Sequence, residues 1–342
     1  MKEYLQRLAN RESFSEEEMQ EAVGIMLNDE QISDSEIAAF LVALKTKGET
    51  VDEISGLVKA IRLNTIGFRR SYSNVMDNCG TGGDGSSSFN VSTTSAFVIA
   101  GCGITVAKHG NRSISSKTGS ADVLEQLGVE LSMPTQLAEE LLEEIGIAFL
   151  FAPHVHPRLK KVMKVRRELQ IPTIFNFIGP LTNPVDLDSQ LLGINRRDYL
   201  EVFAEVLNKL GRKRALVLNG AGKLDEASLE GENHLIFLQD GVMNKMTLHP
   251  EEVGLPSFPN SAIKGGDSKR NAEILLQVLK GEEGAYRDTV LLNAGLAIFT
   301  SGIASTIPSG INIAKESIDS GAAYEKLVKL VEKSRVTKQE VI

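Results

Sequence analysis

The stretch Asn78-Cys-Gly-Thr-Gly-Gly-Asp-Gly-Ser-Ser-Ser-Phe-Asn-Val-Ser-Thr-Thr94 concentrates residue types that can hold an anion. Four glycines fall between Gly80 and Gly85, and glycine lets a ligand approach the backbone without meeting a Cβ. Val75 and Met76 read as the end of a short buried strand just before them. Ser92, Thr93 and Thr94 precede the apolar run Ala96–Ala100, a helix-start signal. A strand, a glycine loop and a helix N-terminus in that order aim free N–H groups and the helix dipole at one point. A phosphate cradle is the chemical reading, and a glycine-rich surface turn is the plain alternative. Gly80, Gly82 and Gly85 also match G-x-G-x-x-G. A dinucleotide site needs an acidic residue at the end of the next strand to accept from a ribose diol. Here the next strand, Ile104–Ala107, runs into Lys108. A lysine pairs with phosphate, so the pattern favours a phosphorylated sugar over a dinucleotide.

A second donor-rich run follows that strand. It carries Lys108, Arg112, the hydroxyls of Ser113, Ser115 and Ser116, and backbone N–H groups near Gly119 and Ser120. Such density suits a multiply charged phosphate ligand. His109, in the same run, fits a base, a substrate contact or a structural residue by pattern. Asp225 and Glu226 are adjacent carboxylates after the strand Ala215–Leu218 and the turn Gly220-Ala-Gly222. Neighbouring carboxylates can share a hard cation with waters and phosphate oxygens; they can also be a plain acidic pair opening a helix. Finally, Arg158–Leu169 is a basic helix. Most of its charges belong on a solvated face. One arginine turned inward could fork a carboxylate, and the pattern does not choose which.

The elements that must position these groups are legible in outline. At 342 residues the chain has room for two domains, or for one large α/β domain with an appendage. Residues 1 to about 70 read as helices only. Ser13–Glu18 starts one, Ser33–Glu36 a second through Ile37, Phe40, Leu41 and Leu44, and Val51–Ile54 a third. From about residue 74 the pattern alternates strand, loop and helix. Strands are predicted at Ile104–Ala107, Ile147–Phe151, Leu191–Ile194, Ala215–Leu218 and Leu235–Leu238, with helices at Ala121–Leu127, Arg158–Leu169 and Tyr199–Leu210. That alternation implies a largely parallel sheet covered by helices, with ligands beyond the strand C-termini. A hairpin around Asp240-Gly241, three helices up to Glu332 and a polar, frayed tail complete the expectation. No repeats or low-complexity linker interrupt it.

Composition excludes several classes. A net charge of −8 argues against broad binding to nucleic acid or to membrane surfaces. No apolar run approaches the ~18 residues of a membrane span. The first residues, Met1-Lys-Glu-Tyr-Leu-Gln-Arg, are charged, unlike a secretory signal. Two cysteines, Cys79 and Cys102, make neither a disulfide framework nor a zinc motif, and reduced cytoplasmic thiols are expected.

Taken together, Gly80–Gly85, Phe89–Thr93, Lys108–Asn111, Ser115-Ser116, Gly119–Asp122, Phe175–Pro184 and Leu224–Glu226 closely resemble the anthranilate phosphoribosyltransferases, in order along nearly the whole chain. The combination is specific where each motif alone is not. The resemblance implies the second committed step of tryptophan biosynthesis, with Mg2+ as cofactor. It implies a helical N-terminal domain (1–70, with a segment near 165–185 joining it) and an α/β catalytic domain (71–342) built on a mainly parallel sheet of the nucleoside phosphorylase and phosphoribosyltransferase type. A homodimer through the helical domain is also implied. For 5-phosphoribosyl 1-diphosphate (PRPP) it implicates Gly80, Gly83, Asp84, Ser88, Asn90, Val91, Ser92 and Thr93. From the second run it adds Lys108, His109, Gly110, Asn111, Arg112, Ser113, Ile114, Ser115, Ser116 and Ser120. For the metal it implicates Ser92, Asp225 and Glu226. For anthranilate it implicates Gly80, Asn111 and Arg166, with His109, His156 and Pro180 nearby; the preference for Arg166 over Arg167 comes from the resemblance. Ser88 stands where the family often has threonine and keeps the hydroxyl, whereas Asn219 stands where histidine is common. A pyrimidine nucleoside phosphorylase is the alternative enzyme, disfavoured because Asp225 and Glu226 would repel free phosphate. A non-catalytic PRPP-binding or nucleic-acid-binding protein on the same scaffold is an alternative of another class.

Overall fold

The computed structural model describes residues 1–68, 70, 72–113 and 118–335. The expectations for Ile114, Ser115 and Ser116, and for the tail beyond Arg335, lie outside the described residues.

The N-terminal segment is helical: α1 (Lys2–Ala9), α2 (Glu16–Asn28), α3 (Asp34–Lys47) and α4 (Val51–Leu63). Three of these starts are written as capping boxes. Ser15, Ser33 and Thr50 accept from the N–H three residues on, and Glu18, Glu36 and Glu53 reach back to the cap N–H. Each such cap stabilises its helix by about 1 kcal/mol. The first cap is Ser15, inside the expected start, and the third is Thr50, one residue earlier. α1 is additional to the expected helices: Met1, Tyr4, Leu5 and Leu8 make a short stripe at helical spacing that packs on the core, with Leu8 its sole fully buried residue.

The rest alternates. β1 (Val75–Gly80), α5 (Val91–Gly101), β2 (Thr105–Gly110), α6 (Ser120–Gln126), α7 (Thr135–Glu144), β3 (Ile147–Phe151), α8 (Ala152–Val155), α9 (Lys160–Leu169), β4 (Ser189–Gly193), α10 (Leu200–Lys209), β5 (Arg214–Asn219), β6 (Asn233–Gln239) and β7 (Val242–Leu248) form, among the described residues, one seven-stranded sheet with its helices. Strand order is β3-β2-β1-β4-β5-β6-β7, parallel from β3 to β5 and antiparallel at β6 and β7. Asp240 (φ 48°) and Gly241 (φ 82°) make the tight β6–β7 turn that Asp-Gly announces. Four helices follow, not the three expected: α11 (Ser268–Leu279), α12 (Ala285–Ser301), α13 (Ile307–Asp319) and α14 (Ala322–Ser334). Pro308 sits in the first turn of α13, where no intrahelical N–H is needed, so it begins that helix and does not break it.

Side chains on the middle strands alternate between two cores. Leu191, Leu216, Leu218 and Leu235 pack with α5, α6, α7 and α11–α14. Leu192, Val217, Ile236 and Leu238 pack with α1–α4, α9 and α10. The chain winds outward in both directions from β1, so the strand order reverses between β1 and β4. Their C-terminal ends meet at Gly80 and Gly193, and a crevice at such a reversal is where ligands bind in open α/β sheets.

Candidate active site

A cavity of about 1110 Å3 opens at that reversal point, and every described residue implicated above lines it, with His156 and Pro180. The strands deliver the side chains differently from expectation. β1 does not end at Met76 but continues to Gly80, and β2 continues to Gly110. Lys108 and His109 are therefore strand residues, both buried. Lys108 Nζ donates to the Asn78 carbonyl at 2.6 Å.

α5 starts earlier than its hydroxyl residues suggest. Val91 is its first residue and Asn90 its N-cap, without a side-chain cap bond. Ser92 and Thr93 lie in the first turn, at the cavity wall. The N–H of Ser92 donates to Glu226 Oε1 at 3.1 Å. A carboxylate of the protein thus takes one of the N–H groups that a helix start offers to an anion.

The loop carrying Asp225 and Glu226 crosses the ends of β1 and β4, and it can do so only because both strands end in glycine. A Cβ on Gly193 would overlap the Asp225 carbonyl, and one on Gly80 would overlap the Asp225 carboxylate. Asp225 Oδ2 accepts from the Gly82 N–H at 2.6 Å. Burial pushes both carboxyls above their usual range, Asp225 further through Glu226 and Asp84, while Lys108 partly opposes the rise at Glu226. Asp84 Oδ2 is buried beside them with no hydrogen-bond partner among the described residues. Three acidic groups with too little positive charge among them suit a bound cation. No three His, Cys, Asp or Glu side chains among the described residues could hold a metal ion by themselves. A hard cation here would complete its shell with waters, hydroxyls and phosphate oxygens, as Mg2+ does.

Arg166, on α9, also lines the cavity. It lies over the Phe175 ring at 5.4 Å, and its Nη2 donates to Asn176 Oδ1 at 3.2 Å. Burial lowers its pKa to about 10. No carboxylate among the described residues pairs with it, whereas Arg167 is exposed. A half-buried, unpaired guanidinium is a ready fork for a ligand carboxylate. Arg112 differs: it reaches Glu125 at 2.8 Å and Asp122 at 2.9 Å, so α6 already holds its charge.

His109 and His156 meet at Nε2···Nε2 3.1 Å, and His109 Nδ1 lies 3.2 Å from the Gly179 carbonyl. Burial lowers their pKa values to about 4 and about 2, so both are neutral near pH 7. Gly179 O can only accept, so His109 carries its proton on Nδ1 and receives one from His156 Nε2. With both nitrogens engaged, His109 has no free lone pair for a substrate proton.

Several supports have a role that the sequence pattern does not assign. Asp77 is fully buried beneath the cavity and accepts from Asn183 Nδ2 at 2.9 Å. Asn219, buried, donates to the Ile194 carbonyl at 2.8 Å and accepts from Arg197 Nε at 3.1 Å. It ties β5 to the segment after β4. Residues 263–266 clasp both donor loops: Phe89 N–H donates to Ile263 O at 3.0 Å, Gly265 N–H to Ser87 O at 2.9 Å and Thr118 Oγ1 to Gly266 O at 2.9 Å. The Gly265-Gly266-Asp267 sequence is the available clue.

An acid-lined crevice at a switch point, under a helical cap, defines the class. Residues 72–324 match the glycosyl transferase family, a/b domain, and residues 2–64 match the helical bundle domain of the same family. Anthranilate phosphoribosyltransferases of Bacillus cereus (strain B4264) and Bacillus mycoides (strain KBAB4) are each 57% identical over 97% of this chain and 97% of their own. The crystal structure of the Thermus thermophilus enzyme superposes with a TM-score of 0.92 at 40% identity, covering 97% of this chain and 99% of that one. The Saccharomyces cerevisiae enzyme in complex with PRPP and Mg superposes with a TM-score of 0.90 at 26% identity, covering 98% and 97%. The chain belongs to the anthranilate phosphoribosyltransferase family.

Proposed function

We infer that this protein transfers the 5-phosphoribosyl group of PRPP to the amine of anthranilate, releasing pyrophosphate and forming N-(5-phosphoribosyl)anthranilate. The observation that carries the reading is one cavity lined together by phosphate-type donor loops, by Asp84, Asp225 and Glu226, and by Arg166, with which no carboxylate among the described residues pairs. The donor loops after β1 and β2 bind the phosphates of PRPP. Gly80, Asn111 and Arg166 orient anthranilate, with the guanidinium forking its carboxylate so that nitrogen faces C1 of the ribose. The arylamine is already neutral near pH 7 and needs no strong base, in keeping with two neutral, mutually engaged histidines. Ser92, Asp225 and Glu226 would hold Mg2+. When bound, Mg2+ neutralises charge developing on the departing pyrophosphate. The nucleoside phosphorylase reading is not favoured: free phosphate would meet Asp84, Asp225 and Glu226.

The same reading divides the chain at about residue 70. The segment near 165–185 joins the helical domain, supported by Val162, Val165, Ile174 and Phe175 in the core that α1–α4 share. It also includes a cytoplasmic homodimer through the helical domain. Val42, Leu63 and Ile171 expose apolar surface there, and light scattering would show a mass twice that of the chain. No helix among the described residues is long and apolar enough to cross a membrane. The deciding assay is anthranilate fluorescence. Loss of signal that needs protein, PRPP and Mg2+, and stops with EDTA, is expected. No loss with all three present overturns the reading.

A further inference from the structure

We propose that Asn271, on α11, is a positioning residue for the phosphoribosyl donor: it sets the amide of Asn90 so that the NH2 end, and not the carbonyl end, faces the phosphate cavity. The inference rests on the reading that PRPP phosphates occupy this end of the cavity.

A backbone N–H can only donate, so its partner's identity is free of ambiguity. The N–H of Gly266 lies 2.7 Å from the inner atom of the Asn271 amide, which is therefore Oδ1. Asn271 must then present Nδ2 on its other side, where it meets the Asn90 amide at 2.8 Å. A donor needs an acceptor, so Asn90 turns Oδ1 toward Asn271 and keeps Nδ2 for the cavity that it lines. Reversing Asn90 would set two NH2 groups against each other and point a carbonyl oxygen at phosphate. Asn271 is only 2% exposed, so water cannot relieve that conflict.

Neighbouring residues leave this amide as the remaining freedom. The Asn90 carbonyl already accepts from Thr94 N–H at 3.0 Å and Thr94 Oγ1 at 2.9 Å, fixing the backbone. A Cβ on Gly265 would stand 2.6 Å from Asn271 Oδ1 and 2.8 Å from Phe89 Cα. Glycine there admits the amide between the two segments. Asparagine is required at 271 because one end must accept and the other donate; aspartate has two acceptors and leucine has neither.

Asn271→Asp is the test. The carboxylate keeps the bond from Gly266 N–H and turns its second oxygen to Asn90, which reverses to donate. A carbonyl oxygen then faces the phosphates. KM for PRPP should rise at least about tenfold, while KM for anthranilate stays within about twofold. Asn271→Leu, which releases Asn90 without reversing it, should raise KM for PRPP less. An Asp variant with unchanged KM for PRPP, equal rises in both KM values, or a Leu variant as impaired as the Asp variant for PRPP would each overturn the proposal. Should the Asp variant fail to fold, wild-type protein supplies the test: the 15N side-chain amide resonance of Asn90 should shift on adding PRPP and Mg2+ without anthranilate, and no shift overturns it. Wild-type protein that consumes anthranilate while these outcomes fail sinks this inference alone; wild-type protein with no turnover sinks the reading beneath it.

Discussion

Arg166 illustrates how a single side chain carries specificity here. It is partly dehydrated, lies over Phe175 and has no acidic partner among the described residues, so its charge is available to a ligand. A charge-assisted fork contributes roughly 1.5–3 kcal/mol. Arg166→Ala should therefore raise KM for anthranilate by about 10- to 100-fold while moving KM for PRPP little; steady-state kinetics with each substrate varied checks this. The acids behave oppositely. Asp225 is buried and Glu226 half-buried, near one another and near Asp84, so their charge costs stability until a cation arrives. The double variant Asp225→Asn, Glu226→Gln should lose Mg2+-dependent turnover yet melt no lower than wild type without metal, as calorimetry would read. The histidine pair sets an acid limit. His109 has its pKa lowered from 6.5 to about 4 by burial. The unfolded chain takes up a proton below pH 6.5 that the folded chain refuses, so stability is full above that value and falls toward pH 4. The loss is on the order of 3 kcal/mol. His109→Gln should flatten that part of the Tm-against-pH curve.

At the scale of elements, the site depends on two strand ends that lack side chains. Gly193 pairs with Gly80 in register, and the loop bearing Asp225 lies directly on both. Gly193→Ala should push this loop off the sheet, costing about 1–3 kcal/mol by overpacking. It should also raise the Mg2+ concentration needed for half-maximal rate; thermal melts and a Mg2+ titration of activity check the two effects. The elements also show where local signals stop. The run Ser92-Thr93-Thr94 is legible as a helix start, but the helix begins at Val91, since the Ser92 N–H is claimed by Glu226. Short-range pattern cannot register a partner 134 residues away. The clasp at residues 263–266 is illegible for the same reason: its partners, Ser87, Phe89 and Thr118, are distant in the chain.

The whole molecule joins its helical cap to the sheet through a shared core. Leu41, Leu44, Leu57 and Ile61 pack in one cluster with Val165, Phe203 and Val217, and Lys164 bridges α9 to Asp34 at 2.6 Å. Removing residues 1–64 should expose this cluster and leave an aggregating chain, whereas the full protein should unfold in one calorimetric transition. Two resolved transitions in the full protein would contradict a shared core. Residue types and their local order determined the capped helices, the alternation of strand and helix, the two donor-rich loops and the acid pair, because propensity, capping and the two hydrophobic periods are short-range. The choice of Arg166 over Arg167 came from the family resemblance, and the fold agrees with it: Arg166 lines the cavity and Arg167 is exposed. Tertiary structure alone decided that Arg112 is held by α6, that His109 meets Gly179 and His156, and that Asn271 meets Asn90. The histidine and asparagine contacts join segments 47 to 181 residues apart, made only when the sheet closes its order around β1, and even Arg112 needs the turn into α6 to bring Asp122 and Glu125 back to it.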